Sequence, residues 1–166
     1  PSAGNLAGGG FMVIRLADGT VISNDHREKA PGLATRDMFL DDEGNFVRER
    51  SIASHLAVGV PGTPAGLLDA LEKYGTMTRA QVLQPAIELA SKGILLDRDL
   101  VRQFKQRTPA LSKYPASIEI FTNEGQPYEI GDRWVQKDLA ATLRRIKRSG
   151  KDGFYKGETA DLLVAE

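Results

Sequence analysis

Residues 11 to 25 contain the pattern that most restricts the fold of this chain, because they predict two strands joined by a tight turn. The first strand, from Phe11 to Leu16, is a short apolar run rich in strand-forming residues, which indicates a largely buried strand. Asp18-Gly19 follows, and this pair favours the two-residue turn of a β-hairpin. We therefore expect residues 21 to 24 to return antiparallel to the first strand and to end near Asp25.

Arg27 directly follows this hairpin, between the acidic residues Asp25 and Glu28 and shortly before Pro31. A surface ion pair, worth ~0 to 1 kcal/mol, is the commoner role for an arginine with acidic neighbours. Binding of a carboxylate ligand is the alternative, because a planar guanidinium can donate two parallel hydrogen bonds to a carboxylate. The residues by themselves leave both roles open.

Three consecutive glycines, Gly8 to Gly10, precede the first predicted strand. Glycine-rich loops that bind phosphate follow a strand and open a helix, so the order found here argues against a phosphate site. We expect instead either a close approach of the backbone to another segment or a flexible entry to the strand.

The rest of the chain predicts mainly helices. The clearest one has Thr63 as its expected N-cap, continues through Pro64 to Tyr74 and stops at Gly75. Its apolar residues follow helical spacing and predict a core-facing stripe made of Leu67, Leu68, Leu71 and Tyr74. Further helices are predicted from Thr78 to Gly93, from Asp97 to about Phe104, from Leu139 to near Gly150 and after Gly157. Residues 118–121 predict a brief strand, and residues 46–54 predict an exposed loop.

The composition limits the functions that this chain can have. Its 166 residues, 41% of them hydrophobic, can bury one continuous core, so we expect one domain or a piece of one. The 22 basic and 22 acidic residues balance, which disfavours recruitment of nucleic acid or an anionic membrane. The absence of cysteine excludes disulfides and thiolate chemistry. No apolar run approaches the ~20 residues that a membrane-spanning helix needs.

Other candidate sites are weaker than Arg27. His26 and His55 lack the spacing of paired zinc ligands, so we expect neither a metal nor a cofactor. No serine or threonine stands in a recognisable nucleophile motif. Several basic residues late in the chain predict a solvated helix face opposite the apolar one. The residues on this face are Arg144, Lys147, Arg148 and Lys151, and Arg145 belongs to the same basic stretch.

Several motifs follow one another in a specific order along the chain. The first three are Gly8-Gly9-Gly10-Phe11-Met12, Asp25-x-Arg27-Glu28-x-Ala30-Pro31 continuing to Leu40, and Val58-Gly59-Val60-Pro61-Gly62-Thr63-x-Ala65-Gly66. The later ones are Tyr74-Gly75, residues 84–93, residues 131–140 and Phe154-Tyr155-x-Gly157. Together and in this order they resemble the large subunit of γ-glutamyltransferases. The resemblance covers essentially the whole chain.

The resemblance implies an α+β fold, mostly helical with a small antiparallel sheet, that forms part of the αββα sandwich of N-terminal nucleophile hydrolases. Residues 1–166 would then be a partial large-subunit domain that lacks an N-terminal strand or helix and the small subunit. Family members are made as a zymogen that cleaves itself, and the new N-terminal threonine of the small subunit attacks glutathione or a related γ-glutamyl amide. Bacterial members are typically exported to the periplasm or the medium.

Within this chain the resemblance assigns one substrate-binding residue and no catalytic residue. Arg27 matches the family arginine that binds the α-carboxylate of the γ-glutamyl group. Residues 1–166 by themselves are expected to be inactive, because the resemblance places the catalytic threonine in the small subunit. His26 stands where many members have phenylalanine or another apolar residue, which implies a slightly different pocket floor. The implied partners are a γ-glutamyl donor, an amino acid or water as acceptor, and the small subunit of the same precursor, without metal or nucleic acid.

Two alternatives to this function stay open. Acylases of the cephalosporin type use a similar scaffold for a glutaryl side chain, whose carboxylate Arg27 would serve equally well. A catalytically inactive homologue would instead act as a binding or structural module. A threonine at a self-cleavage junction in the downstream sequence would distinguish an enzyme from such a module.

Overall fold

The computed structural model describes residues 5–166 and has an α+β fold in which helices make up about half of the chain. Its strands form two small antiparallel sheets of two strands each. The described residues divide into two compact units. The first comprises the residues up to Arg79 together with Gly150–Glu166, and the second comprises Ala80–Ser149. The α+β prediction is confirmed, with two small sheets where one was expected.

The helices and strands have the following bounds. The helices are α1 (Arg48–Ile52), α2 (Thr63–Tyr74), α3 (Arg79–Lys92), α4 (Arg98–Leu111), α5 (Pro115–Phe121), α6 (Lys137–Ser149), α7 (Asp152–Tyr155) and α8 (Glu158–Ala165). The strands are β1 (Phe11–Arg15), β2 (Val21–Asp25), β3 (Ile94–Leu95) and β4 (Arg133–Trp134). A single 3₁₀ turn, His55–Ala57, lies between α1 and α2.

The predicted hairpin is present, with β1 and β2 paired antiparallel. Its turn is one residue longer than predicted. The Gly19 amide donates to the Leu16 carbonyl oxygen at 3.0 Å, and the Leu16 amide donates to the Thr20 carbonyl oxygen at 2.9 Å. Gly19 has a φ of +90°, which suits the left-handed position that closes a three-residue hairpin loop.

One face of β1 is exposed, which corrects the prediction of a largely buried strand. Phe11 is 67% and Val13 is 74% exposed, whereas Met12 and Ile14 are partly buried. Successive side chains of a strand point to opposite faces of a sheet. Among the described residues, only the face with Met12 and Ile14 is covered.

Helix α2 ends before Gly75 as predicted, but its N-cap is Gly62 in place of Thr63. Its buried residues are Pro64, Gly66 and Ala70, while Leu67 of the predicted stripe is 47% exposed. The side of α2 that carries small residues therefore packs inward. Small residues allow a neighbouring segment to approach the helix closely, and the site described below depends on this approach.

The second unit has a core of apolar residues contributed mainly by helices and the segment that contains β3. These residues are Ile87, Ala90, Leu96, Val101, Ala140, Leu143 and Ile146. Helix α3 ends before Gly93 as predicted, and β3 pairs with β4 although neither strand was predicted. Helix α6 buries the apolar face that its sequence spacing indicated.

Three local predictions are wrong. Residues 46–54, expected to form a loop, contain α1. Helix α4 continues past the expected end near Phe104 to Leu111. Residues 118–121 belong to α5, because the Phe121 ring packs edge-on against Phe104 at a centroid distance of 5.4 Å. Packing of this kind outweighs the strand propensity of a short apolar run.

We expect Asp97→Ala to lower the free energy of unfolding by about 1 kcal/mol. Asp97 Oδ1 accepts a hydrogen bond from the Leu100 amide at 2.8 Å and so caps the start of α4, as predicted. Asp99→Ala is the matched control, because Asp99 lies on the same helix and forms an exposed ion pair with Arg102 at 2.9 Å. Urea unfolding of the whole protein measures both changes, and equal losses would contradict the capping role.

Candidate functional site

Arg27 lies two residues beyond β2 and lines an open cleft of about 340 Å³ in the first unit. Its side chain is 61% exposed, and its Nε donates to Glu28 Oε2 at 3.0 Å. The guanidinium also lies 5.7 Å from the centroid of the Phe11 ring. A guanidinium has five N–H donors, so the ion pair with Glu28 leaves most of them for a ligand. Both roles that the sequence left open are therefore compatible with this geometry.

The Arg27 cleft is bounded by three segments of the first unit. These are residues 24–29, residues 60–69, and a segment that contributes Lys151 and Tyr155. Its charged residues are Asp25, Arg27, Lys29, Asp69 and Lys151. The cleft thus contains both positive and negative side chains. Whether it favours an anionic or a cationic ligand depends on which of these charges are already paired.

Glycines allow three segments to meet at Arg27. A Cβ atom added to Gly62 would lie 2.8 Å from the Arg27 carbonyl oxygen and closer still to that of His26. A Cβ atom added to Gly9 would lie 2.6 Å from the His26 carbonyl oxygen and 2.8 Å from the Arg27 Cα. Side chains larger than hydrogen do not fit at such distances. The close backbone approach expected for Gly8 to Gly10 is confirmed.

Tyr155 links two points at the start of α2. Its hydroxyl donates to the Pro61 carbonyl oxygen at 2.7 Å and accepts from the Ala65 amide at 3.2 Å. Burial raises the pKa of the Tyr155 phenol above its usual value, and the Ala65 amide partly opposes this effect. The phenol is therefore protonated at neutral pH and able to donate. Tyr155 belongs to one of the ordered sequence motifs, but no local pattern indicates its role as a link to Pro61 and Ala65.

The first backbone amides of α2 are already hydrogen-bonded within the chain. The Gly62 and Thr63 amides both donate to the Gly8 carbonyl oxygen at 2.9 Å, and the Ala65 amide donates to the phenol just described. Pro64 has no N–H group. Helix termini that bind anions do so through free amides. An anion in the Arg27 cleft would therefore rely on positively charged side chains.

Lys151 is engaged in an ion pair inside the cleft, with a carboxylate that it shares with Lys73. Its Nζ donates to Asp69 Oδ1 at 3.0 Å, and Lys73 Nζ donates to Asp69 Oδ2 at 2.6 Å. Hydrogen bonds from Lys73 and Lys151 lower the pKa of the Asp69 carboxyl, which is thus charged at neutral pH. The sequence predicts Lys151 on the basic helix face, but α6 ends at Ser149 and Lys151 lies beyond it. Its pairing with Asp69 joins residues far apart in sequence and has no local signal.

The two histidines lie in different surroundings. His26 lines the Arg27 cleft, where its Nδ1 is 2.9 Å from Asn24 Oδ1 and its ring lies against Gly66. The Nε2 of His55 is 3.9 Å from Glu166 Oε1. Within residues 5–166, no group of three His, Cys, Asp or Glu side chains is arranged to hold a metal ion. No helix in this range is both long and apolar enough to cross a membrane.

Comparison with known proteins decides the family. A family model described as Gamma-glutamyltranspeptidase matches residues 1–166, which is the full length of the chain. The chain belongs to the gamma-glutamyltranspeptidase family. The resemblance seen in the ordered motifs is thereby confirmed.

Several relatives of this chain have names that describe them as proenzymes. The Glutathione hydrolase proenzyme of Pseudomonas sp. (strain A14) is 54% identical over 166 residues, which are 99% of this chain and 29% of the relative. The Acylase ACY 1 proenzyme of Pseudomonas sp. (strain V22) is 36% identical over 170 residues, which are 99% of this chain and 30% of the relative. The chain thus spans less than a third of the length of these curated relatives.

A solved structure supports the same assignment. The crystal structure of Helicobacter pylori gamma-glutamyltranspeptidase matches with a TM-score of 0.94 and 46% sequence identity. The match covers 98% of this chain and 47% of that one. The fold described here is therefore the fold of the corresponding part of a gamma-glutamyltranspeptidase.

We expect Gly62→Ala to lower the stability of the whole protein by about 1–3 kcal/mol, because the new Cβ would overlap the carbonyl oxygens of His26 and Arg27. Gly32→Ala is the matched control, since an added Cβ there has no atom within 4 Å. Thermal unfolding compares the two variants. Equal shifts in Tm would show that the close approach at Gly62 is not needed.

Tyr155→Phe should cost about 1–2 kcal/mol of stability, because the Pro61 carbonyl and the Ala65 amide both lose their hydroxyl partner while the ring is kept. Tyr74→Phe serves as the control, since Tyr74 lies at the exposed end of α2 and is 37% exposed. Chemical denaturation of both variants measures the difference. A Tyr155→Phe protein as stable as the control would contradict the linking role.

Proposed function

We propose that this chain supplies the carboxylate-binding side of an active site that hydrolyses or transfers γ-glutamyl groups. The observation that carries the proposal is the position of Arg27 in the cleft. Within residues 5–166 only the Nε of its guanidinium is hydrogen-bonded, to Glu28, so the other N–H groups are free for a ligand. Glycines on the neighbouring segments allow the backbone around Arg27 to pack closely. Relatives named as glutathione hydrolases support a γ-glutamyl amide such as glutathione as the donor.

Arg27 would bind the α-carboxylate of the γ-glutamyl group through two parallel hydrogen bonds. Glu28 orients the Arg27 guanidinium, because its Oε2 accepts a hydrogen bond from Arg27 Nε. Hydrogen bonds from its own backbone amide and from Arg27 lower the pKa of the Glu28 carboxyl, which stays ionised and paired at neutral pH. A lysine has the same charge but lacks the planar pair of donors, so it would hold the carboxylate less specifically.

The covalent chemistry in this proposal belongs to another part of the precursor. A threonine hydroxyl at the new N-terminus of the small subunit attacks the γ-amide carbonyl, and the amine leaves as an ester to threonine forms. Water or the amine of an amino acid then takes the γ-glutamyl group and releases the threonine. The word proenzyme in the names of relatives supports such a precursor. This chain would contribute binding and no catalytic group, and export to the periplasm or medium is part of the same proposal.

An acylase that acts on glutaryl amides is the second candidate, favoured by the 36% identity to the Acylase ACY 1 proenzyme. A glutaryl group has the terminal carboxylate but lacks the α-amine, so Arg27 would serve both substrates. Turnover of γ-glutamyl and glutaryl amides by the whole protein distinguishes the two activities. An absence of turnover on either substrate would favour a binding or structural module.

Arg27→Ala in the whole protein should lower kcat/KM for a γ-glutamyl anilide by about 30-fold or more, mainly through KM. Removing one partner of a desolvated charge pair costs ~2 to 5 kcal/mol, and each ~1.4 kcal/mol is a factor of ten. Steady-state kinetics measures the change. Arg27→Lys tests the geometry, because full activity of that variant would favour a simple point charge.

Arg36→Ala is the matched control for this substitution. Arg36 belongs to the same unit, is 96% exposed and does not line the Arg27 cleft. Its removal should leave kcat/KM close to that of the wild type. Wild-type kcat/KM in Arg27→Ala would refute the assigned role of Arg27.

A further inference from the structure

Lys29 differs from the other charged residues of the Arg27 cleft in its surroundings. Asp25 accepts from the Arg27 amide, Arg27 pairs with Glu28, and Lys151 pairs with Asp69. The Lys29 side chain has no ion-pair or hydrogen-bond partner within residues 5–166. Its charge is therefore available to a ligand.

The backbone holds Lys29 at a defined place beside Arg27. The Lys29 amide donates to the Val60 carbonyl oxygen at 3.1 Å, and the Val60 amide donates to the Lys29 carbonyl oxygen at 2.7 Å. Two residues of chain span no more than ~7 Å, so the Lys29 Cα lies within that distance of the Arg27 Cα. Both residues line the same cleft.

Other donors in this part of the cleft are already used. The first amides of α2 donate to Gly8 and Tyr155, and Lys151 is held by the Asp69 carboxylate that it shares with Lys73. A ligand with one carboxylate would occupy Arg27. A second carboxylate on the same ligand would meet Lys29, the cleft-lining lysine that has no ion-pair partner among the described residues.

We propose that Lys29 forms a second carboxylate subsite, which recognises a carboxylate on the leaving-group side of the γ-glutamyl donor while Arg27 holds the α-carboxylate. This inference rests on the proposed function and adds a residue that would favour γ-glutamyl donors with a free C-terminal carboxylate over donors without one. Glutathione is such a peptide, since it carries one carboxylate at each end. A lysine suits this subsite because its flexible stem carries a point charge that adapts to peptides of different shape.

The test compares two donors with the whole protein: a γ-glutamyl peptide with a free C-terminal carboxylate, and the same peptide as its C-terminal amide. The wild type should have the higher kcat/KM for the free acid. Lys29→Gln should reduce the ratio of kcat/KM for acid over amide by about three- to tenfold, mainly through the KM of the acid. Lys29→Arg should restore most of the ratio, because it restores the charge.

Lys156→Gln is the matched control, since Lys156 lies in the same unit, is 73% exposed and pairs with Asp152 outside the cleft lining. It should leave the ratio unchanged. An unchanged ratio in Lys29→Gln, or an equal loss on both donors, would overturn the subsite. In that case turnover of the amide donor and its dependence on Arg27 would still support the proposed function. A wild type that turns over neither donor would refute the proposed function, and the subsite with it.

Discussion

The close approach of three backbone segments around residues 26–28 is the constraint on which the rest of the site depends. Gly9 on one side and Gly62 and Gly66 on the other leave no room for a Cβ atom, so the strand end and the start of α2 lie in direct contact. Protein interiors are densely packed, and contact of this kind fixes backbone position more firmly than exposed side-chain pairs do. This contact therefore determines the position of the Arg27 backbone.

Hydrogen bonding then determines what the Arg27 cleft can bind. The amides of α2 donate to Gly8 and Tyr155, and Lys151 is held by the Asp69 carboxylate that it shares with Lys73. Among the described residues, what remains for a ligand in this cleft is the set of free N–H groups of the Arg27 guanidinium and the unpaired charge of Lys29. The helix terminus beside it acts as a structural support, although a glycine-rich segment next to a helix resembles a phosphate site at first sight.

The sequence predicted those elements whose causes are local. The hairpin at Asp18-Gly19, the Asp97 cap and the helix ends at Gly75 and Gly93 each follow from the chemistry of a few adjacent residues. The structure confirms them, although the hairpin loop has three residues in place of two. The incorrect predictions concern segments whose structure is decided by contacts with residues distant in sequence. Residues 118–121 became helical because Phe121 packs against Phe104, and α2 buried its small residues because the Arg27 segment lies against them.

By itself the sequence determined the family, the hairpin and the place of Arg27 just beyond it. Motifs and turns depend on short stretches of adjacent residues, which can be recognised without the fold. Only the tertiary structure decided the partners of these residues. The Tyr155 hydroxyl bonds to Pro61, Lys151 pairs with Asp69, and the Lys29 backbone pairs with Val60. Each of these contacts joins positions at least thirty residues apart. Such pairings depend on how whole elements pack, which local propensity and charge patterns do not specify.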